Sequence, residues 1–243
     1  MGESRKIRTT STLADESDLN VPQGIIRDDV RLQIRAVCFD SFGTLVEIGD
    51  KRRPFKTLLG DDPTPDTVRR VLTKPTSLRD LAYDLSLALD EESMVALEAD
   101  LEAELASTRL RHGMKVLWES LRQVGLRVGV CSNLAAPYQS ALLRCLPHTP
   151  DALVMSFQVG FMKPQAEIYQ QVCTQFRLEP EQVLFVGDHF EEDVIGPHCA
   201  GLFSMHIAEF ERALAQGPSP ATHSALVELL DRLAEFSQDT TRR

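Results

Sequence analysis

The sequence lacks an apolar run long enough to span a membrane, and its first residues lack the apolar segment of a signal peptide. It also lacks an excess of positive charge, because 36 acidic and 26 basic residues give a formal net charge of -10 at pH 7. Nucleic acids and anionic membrane surfaces repel such a chain at long range. We therefore expect neither nucleic acid nor membrane as a partner.

Cysteine is also scarce. An odd number of cysteines, with no Cys-x-x-Cys pair and no metal-ligand spacing, indicates neither a disulfide framework nor a zinc site. The five are Cys38, Cys131, Cys145, Cys173 and Cys199. Two of them lie in apolar, strand-like runs, where a free thiol behaves as a small buried hydrophobe. These features predict a reducing, cytoplasmic location.

The length of 243 residues and the 43% hydrophobic content allow one good hydrophobic core and a small second one. Residues 1–30 are polar and mix both charges. We predict a disordered tail there, and a frayed tail over residues 237–243.

One stretch, Arg35–Leu45, organises the chain and reads Arg-Ala-Val-Cys-Phe-Asp-Ser-Phe-Gly-Thr-Leu. Residues 36–39 predict a strand that leads into Asp40, and Gly43 allows a sharp turn beside that carboxylate. Ligands bind at the carboxyl ends of the strands in an open parallel α/β sheet. Asp40 is therefore a candidate functional residue, the alternative being a solvated aspartate in a turn.

A second apolar run predicts a buried strand that ends on Ser132 and Asn133. Their hydroxyl and amide groups can bind an oxyanion, together with the amides of a helix that begins near Pro137. The alternative is that they only cap that helix.

A third predicted strand, residues 152–157, precedes Lys163. Pro164 restricts this lysine to an extended backbone, and the pattern of residues 166–176 predicts an amphipathic helix directly after it. Lys163 is thereby a fixed positive charge near the strand edge, although a lone Lys-Pro is common in loops.

A fourth predicted strand, beginning at Val183, ends on Asp188, and a second acid, Asp193, follows five residues later. Together with Asp40, these carboxylates would repel one another unless a cation lay between them. Oxygen ligands of this kind suit Mg²⁺. A fifth strand is predicted over residues 203–208 and a closing helix over residues 225–236.

Between the first two strands lie about 60 residues of mostly helical pattern, with prolines that interrupt it. This is too long for an ordinary crossover, and we interpret residues 49–110 as a small helical cap over the sheet edge. The core domain is then expected to comprise residues 31–48 and 111–236.

The four motifs, in this order and spacing, resemble those of the haloacid dehalogenase superfamily of hydrolases. They are Asp40-Ser-Phe-Gly-Thr-Leu, Ser132-Asn133, Lys163-Pro164 and Gly187-Asp188-x-x-x-x-Asp193. The inserted helices resemble the subclass with an α-helical cap. The resemblance implies an α/β fold: a Rossmann-like parallel sheet with helices on both faces and a site at the carboxyl ends of the strands.

The resemblance also implies roles for residues. Asp40 would be the nucleophile that forms a covalent aspartyl intermediate, with Lys163 as its catalytic partner. Thr44, Ser132 and Lys163 would hold phosphoryl oxygens, and Asn133 would shape that substrate pocket. The substrate would be a small, anionic molecule.

A metal site follows from the same resemblance. Mg²⁺ would be held by Asp40, the backbone carbonyl of Phe42 and Asp188, while Asp193 would orient the lysine or a metal-bound water.

Phe42 departs from the pattern of the superfamily's phosphatases, which usually carry a second aspartate there as general acid. Dehalogenases proper resemble this chain in having an aromatic residue at that position, yet they work without metal and lack the aspartate found here at 188. We therefore consider three hypotheses: a Mg²⁺-dependent phosphatase, a metal-independent 2-haloacid dehalogenase, and a weakly active or inactive member with a binding role. Fold alone does not choose among them.

Overall fold

A computed structural model describes residues 34–217, 224 and 226–231. The tails predicted for residues 1–30 and 237–243 lie outside this part of the chain. Seven strands are present in it: β1 Ala36–Phe39, β2 Val46–Ile48, β3 Thr108–Leu110, β4 Arg127–Ser132, β5 Ala152–Met155, β6 Val183–Gly187 and β7 Phe203–His206.

Five of the strands form one parallel sheet in the order β5-β4-β1-β6-β7, so that β1 lies in the middle. Successive side chains of a strand point to opposite faces. Val37 and Phe39 join the larger hydrophobic cluster on one face, whereas Ala36 and Cys38 join a second cluster on the other. Both faces are buried, which explains the continuous apolar run of β1.

Ten helices between Pro54 and Gln216 accompany the strands, and residues 226–231 belong to a further helix. They are α1 Pro54–Leu59, α2 Pro65–Thr73, α3 Leu78–Asp84, α4 Glu91–Ala106, α5 Met114–Gln123, α6 Tyr138–Cys145, α7 Ser156–Val159, α8 Ala166–Phe176, α9 Gly196–Cys199 and α10 Ile207–Gln216. A 3₁₀ turn covers Pro180–Gln182 and a π-helix covers Phe190–Ile195. No helix in these ranges is both long and apolar enough to cross a bilayer. The predicted Rossmann-like α/β fold is confirmed.

Two predicted strands end earlier than expected. The third strand stops at Met155, because the next four residues form α7, which Gly160 ends with a φ of 77°. The last strand stops at His206, whose ring Nδ1 accepts the backbone N–H of Ala208 at 3.2 Å and so caps α10. Of the predicted closing helix, residues 226–231 are helical.

The helices α1–α4 form an insert that we define as residues 54–106. It leaves the sheet domain through β2 and returns through β3, and these two strands pair in antiparallel fashion. Its helices enclose a third hydrophobic cluster, which includes Leu58, Leu81 and Leu97. The assignment of residues 49–110 as a cap stays a prediction.

Candidate active site

The four motifs meet at the carboxyl edge of the sheet. Asp40 follows the last residue of β1, Ser132 is the last residue of β4, and Asp188 follows the last residue of β6. Because β4 and β6 flank β1 in parallel, these residues are neighbours in space although they are far apart in sequence. The predicted convergence is therefore observed.

Lys163 lies at the centre of this cluster. Its Nζ is 2.7 Å from Asp40 Oδ1 and 2.5 Å from Asp193 Oδ1, and its side chain is only 2% exposed. Burial lowers the pKa of Lys163, but attraction from Asp40 and Asp193 outweighs it and raises the pKa above its usual value. The lysine therefore carries a fixed positive charge beside both carboxylates.

The carboxylate of Asp40 is buried together with its partners. Burial raises the pKa of Asp40, and the charge of Lys163 opposes that effect. Ser132 Oγ donates a hydrogen bond to Asp40 Oδ1 at 3.3 Å and lies 2.6 Å from Ser41 Oγ. One hydroxyl group and one ammonium group thus contact the candidate nucleophile, and the Ser41 hydroxyl contacts the first of them. Donors of this kind suit an anionic group.

Asn133 contacts the lysine segment with its whole side-chain amide. Its Oδ1 accepts the backbone N–H of Lys163 at 2.7 Å, and its Nδ2 donates to the backbone carbonyl of the same residue at 2.9 Å. The Nδ2 also donates to Glu192 Oε2 at 3.0 Å. In this arrangement the amide fixes the position of Lys163, a contact different from the substrate contact that the motif predicts.

Asp193 is fully buried and both of its oxygens have partners. Oδ1 contacts the lysine, and Oδ2 accepts the backbone N–H of His189 at 2.9 Å. Gly187 makes room for it, because a Cβ at this position would lie 2.3 Å from the Asp193 carboxylate. The Asp193 carboxylate therefore contacts Lys163. The resemblance implies that it orients either the lysine or a metal-bound water, and this role stays a prediction.

Asp188 lies against the turn that follows the nucleophile. Thr44 Oγ1 donates to Asp188 Oδ1 at 3.3 Å, and a Cβ on Gly43 would lie 2.2 Å from Asp188 Oδ2. Gly43 has a φ of 96°, a conformation that favours glycine. The turn thus brings its own backbone and the Asp188 carboxylate together.

This arrangement fits a hard divalent cation. The carboxylates of Asp188 and Asp193 and the ring of His189 offer ligand atoms that all lie within 4.8 Å of one another. Because both Asp193 oxygens are engaged by protein donors, the Asp188 oxygens are the carboxylate oxygens of this group that suit Mg²⁺. Thr44 contacts this carboxylate, and its predicted role in substrate binding stays a prediction.

Two neighbours of the site, Ser41 and Glu192, received no role from the sequence, although Ser41 lies inside the first motif. Ser41 follows the nucleophile in sequence, but its hydrogen-bond partner, Ser132, becomes its neighbour only through the pairing of β1 with β4. Glu192 is held through Asn133, and the Tyr169 hydroxyl donates to the Glu192 carbonyl at 2.5 Å. Burial raises the pKa of Glu192. Only their positions beside the recognised motifs in sequence could have indicated them.

A family model for haloacid dehalogenase-like hydrolases matches residues 34–201, which is more than half of the chain. The chain belongs to this family. The matched region contains all four motifs and the helical insert.

The haloacid dehalogenase-like chain is similar to a glyceraldehyde 3-phosphate phosphatase of Methanopyrus kandleri, with 28% identity over 129 residues. The alignment covers 49% of this chain and 54% of that relative. The chain thus spans about half the length of this curated relative.

Solved structures of the family share the fold. A family enzyme from Bacteroides thetaiotaomicron, in complex with magnesium and inorganic phosphate, has a TM-score of 0.53 at 16% identity, covering 71% of this chain and 93% of that one. A structure described as a dehalogenase has a TM-score of 0.54 at 20% identity, covering 83% of this chain and 97% of that one. At these identities the likeness concerns the fold alone.

Proposed function

We propose that this hydrolase is a Mg²⁺-dependent phosphatase that uses Asp40 as nucleophile and acts on a small phosphorylated metabolite. The observation that carries the proposal is the buried contact of Lys163 with both Asp40 and Asp193, next to the hydroxyl of Ser132. Phosphoryl transfer depends mainly on positioning and charge neutralisation, and this cluster supplies both. Similarity to a glyceraldehyde 3-phosphate phosphatase supports a phosphorylated substrate.

In the proposed reaction, Asp40 attacks phosphorus and forms an aspartyl phosphate while the bond to the leaving group breaks. Water then hydrolyses this intermediate and restores the carboxylate. Lys163 and Ser132 hold phosphoryl oxygens, and the charge of the lysine also favours the ionised form of Asp40. Asp193 and Asn133 keep the lysine in place through its ammonium group and its backbone.

Asp40, the backbone carbonyl of Phe42 and Asp188 would hold Mg²⁺. When bound, the ion neutralises charge on the phosphoryl oxygens. Thr44 supports this site by its hydrogen bond to Asp188. Family structures that contain magnesium support this choice of metal.

We further propose that residues 49–110 act as a cap over the site and that the remaining domain boundaries are those expected from sequence. The hydrophobic cluster within the insert supports a separately packed unit. A cytoplasmic location is consistent with the free cysteines, of which Cys38, Cys131 and Cys173 are buried.

A 2-haloacid dehalogenase is the second candidate, because Phe42 offers no proton and a halide leaving group needs none. Ser132, Asn133 and Tyr169 are also compatible with it. Asp188 argues against it, since its position beside the turn suits a metal that this reaction does not use.

Hydrolysis of 4-nitrophenyl phosphate with Mg²⁺ and with EDTA, alongside chloride release from 2-chloropropionate, tests both candidates. We expect Mg²⁺-dependent phosphate release that is lost in Asp40→Asn and in Asp188→Ala. The matched control is Asp61→Asn, an exposed acid of the insert whose partner is Lys56. Phosphate release that survives Asp188→Ala would show the metal assignment to be wrong, and EDTA-insensitive chloride release would establish the dehalogenase.

A further inference from the structure

Three aromatic rings meet between the turn after the nucleophile and the helical insert. Phe42 contacts Tyr138 edge to face, with ring centroids 5.7 Å apart and planes at 86°. Phe55, in the insert, lies 6.1 Å from the other side of this tyrosine. All three rings are partly exposed. We call these three residues the aromatic wall.

The one polar group of the aromatic wall, the Tyr138 hydroxyl, already has a hydrogen-bond partner. The Tyr138 hydroxyl donates to Glu104 Oε1 at 2.9 Å. Glu104 is only 4% exposed, and its other oxygen accepts the backbone N–H groups of Arg52 and Arg53 at 2.7 and 2.5 Å. The tyrosine proton is thus held by a buried carboxylate with three donors, and the wall offers carbon surfaces to a ligand.

The aromatic wall is joined in sequence to the nucleophile, because Phe42 lies two residues after Asp40. Lys163 and Ser132 contact Asp40 Oδ1, and a phosphoryl group attacked by Asp40 would be held by these donors. In an in-line displacement the leaving oxygen is opposite the nucleophile, and hence outward from the carboxyl ends of the strands. The wall begins two residues after Asp40 and extends from there to the insert.

We propose that the aromatic wall is the leaving-group subsite, and that the substrate is a phosphate bonded through oxygen to an aromatic group, as in an aryl or aroyl phosphate. This inference rests on the proposed phosphatase function and names its substrate class. Rings of this kind contribute packing of about 2- to 10-fold in affinity per aromatic contact.

The chemistry requires no proton from the wall. As the bond from Asp40 to phosphorus forms, the bond from phosphorus to the leaving oxygen breaks, and that oxygen keeps the electron pair as a phenolate or carboxylate. Water then bonds to phosphorus, the aspartyl ester bond breaks, and phosphate departs with both hydrogens of the water. An alkoxide would be a far poorer leaving group without a general acid, by about 10²- to 10⁴-fold.

The first test compares kcat/KM for phenyl phosphate and cyclohexyl phosphate with Mg²⁺, two rings of similar size that differ in planarity and leaving-group stability. We expect a preference of at least about 100-fold for phenyl phosphate. Tyr138→Phe keeps the ring and should leave the preference unchanged. Equal rates, or a loss in Tyr138→Phe confined to cyclohexyl phosphate, would overturn the proposal, the latter because the tyrosine would then supply a proton.

The second test needs no turnover. Calorimetry of phenylphosphonate and methylphosphonate binding, with Mg²⁺ present, should show tighter binding of the aromatic ligand. Phe55→Ala should reduce that preference by about 2- to 10-fold, whereas Tyr83→Ala, which removes an 85% exposed ring of the same insert, should not. Equal binding of both ligands overturns the subsite. A retained preference without hydrolysis of any phosphate supports the subsite and refutes the phosphatase.

Discussion

The charged groups of the active site and of the helical insert differ in burial more than in geometry. In the site, Lys163 contacts two carboxylates at 2.5 and 2.7 Å with its side chain 2% exposed. In the insert, Arg79 also contacts two carboxylates, Glu91 and Glu98, both at 2.9 Å, but its side chain is 48% exposed. Similar distances therefore describe two physically different interactions.

This difference in burial separates the charged groups that serve the reaction from those that only lie at the surface. Water screens the exposed pairs of the insert, so that each contributes little to stability. The buried triad has lost its hydration, and the mutual contacts of its members compensate for that loss together with hydrogen bonds from the Ser132 hydroxyl and the His189 backbone. A fold does not require such a triad for stability, and we infer that it is retained for the reaction at Asp40.

The largest effect is expected for Lys163→Met, which keeps the length of the side chain and removes its charge. Two buried carboxylates would then lack a counter-ion, and the free energy of unfolding should fall by about 3–5 kcal/mol, with loss of turnover. Urea denaturation measures the first and phosphate release the second. Lys115→Met, an exposed lysine paired with Glu119, is the control. Similar stabilities of the two variants would mean that buried and exposed charged groups do not differ in their contribution to stability.

Glu104→Gln tests whether burial, and not location in the site or the insert, decides the effect, because Glu104 is a buried carboxylate inside the insert. Its three hydrogen bonds would lose their charge, and we expect a loss of about 1–2 kcal/mol in the free energy of unfolding. Thermal and urea denaturation measure it. Glu98→Gln, an exposed acid on the same helix, should show no comparable change. The reverse ranking would mean that burial is not the deciding variable.

Asn133→Ala should have a smaller effect on stability, of about 1 kcal/mol, because two of the three hydrogen bonds that it removes are to the neutral backbone of Lys163. The lysine segment would lose its fixed position, so we expect kcat to fall by about 10-fold or more. Steady-state kinetics on an aryl phosphate provides the readout, with Gln158→Ala as an exposed control. A rise in KM with an unchanged kcat would instead favour the substrate contact predicted from the motif.

The smallest effect is expected for Arg79→Met. The pKa of Arg79 is raised above its usual value by the hydrogen bonds that it donates to its two glutamates, yet the group is exposed to solvent. The midpoint of urea denaturation should stay within experimental error in low and in high salt. A clear loss that disappears in high salt would assign the insert a genuine electrostatic contribution.

Much of this architecture could be predicted from sequence, because apolar runs indicate the strands and the residues at the ends of these runs indicate the site. The run before Asp40 predicted a strand that leads into this residue, and Lys163 and Asp193 were recognisable from the order and spacing of the four motifs. The two strand ends that were wrong depend on contacts that sequence periodicity does not contain. Gly160 ends a helix that follows directly on β5, and the ring of His206 caps one that follows on β7.

The unpredicted part of the site consists of pairings across long sequence separations. Ser41 meets Ser132 only because β1 and β4 pair in register, and Glu104 meets Tyr138 only once the insert packs on α6. Asn133 has the residue type that was expected to bind substrate, but its hydrogen-bonding partner is the lysine segment. Tertiary packing determines these hydrogen-bond partners, so residue type alone does not reveal them.

The central position of β1 also bears on the order of assembly. Its aspartate precedes its serine and lysine partners by 92 and 123 residues along the chain. Contacts of this range form slowly and late in folding. The nucleophile therefore acquires its chemical environment only when β4 and β6 have closed around it. Enzymatic turnover therefore requires complete folding, and a partly folded or truncated chain should show no turnover.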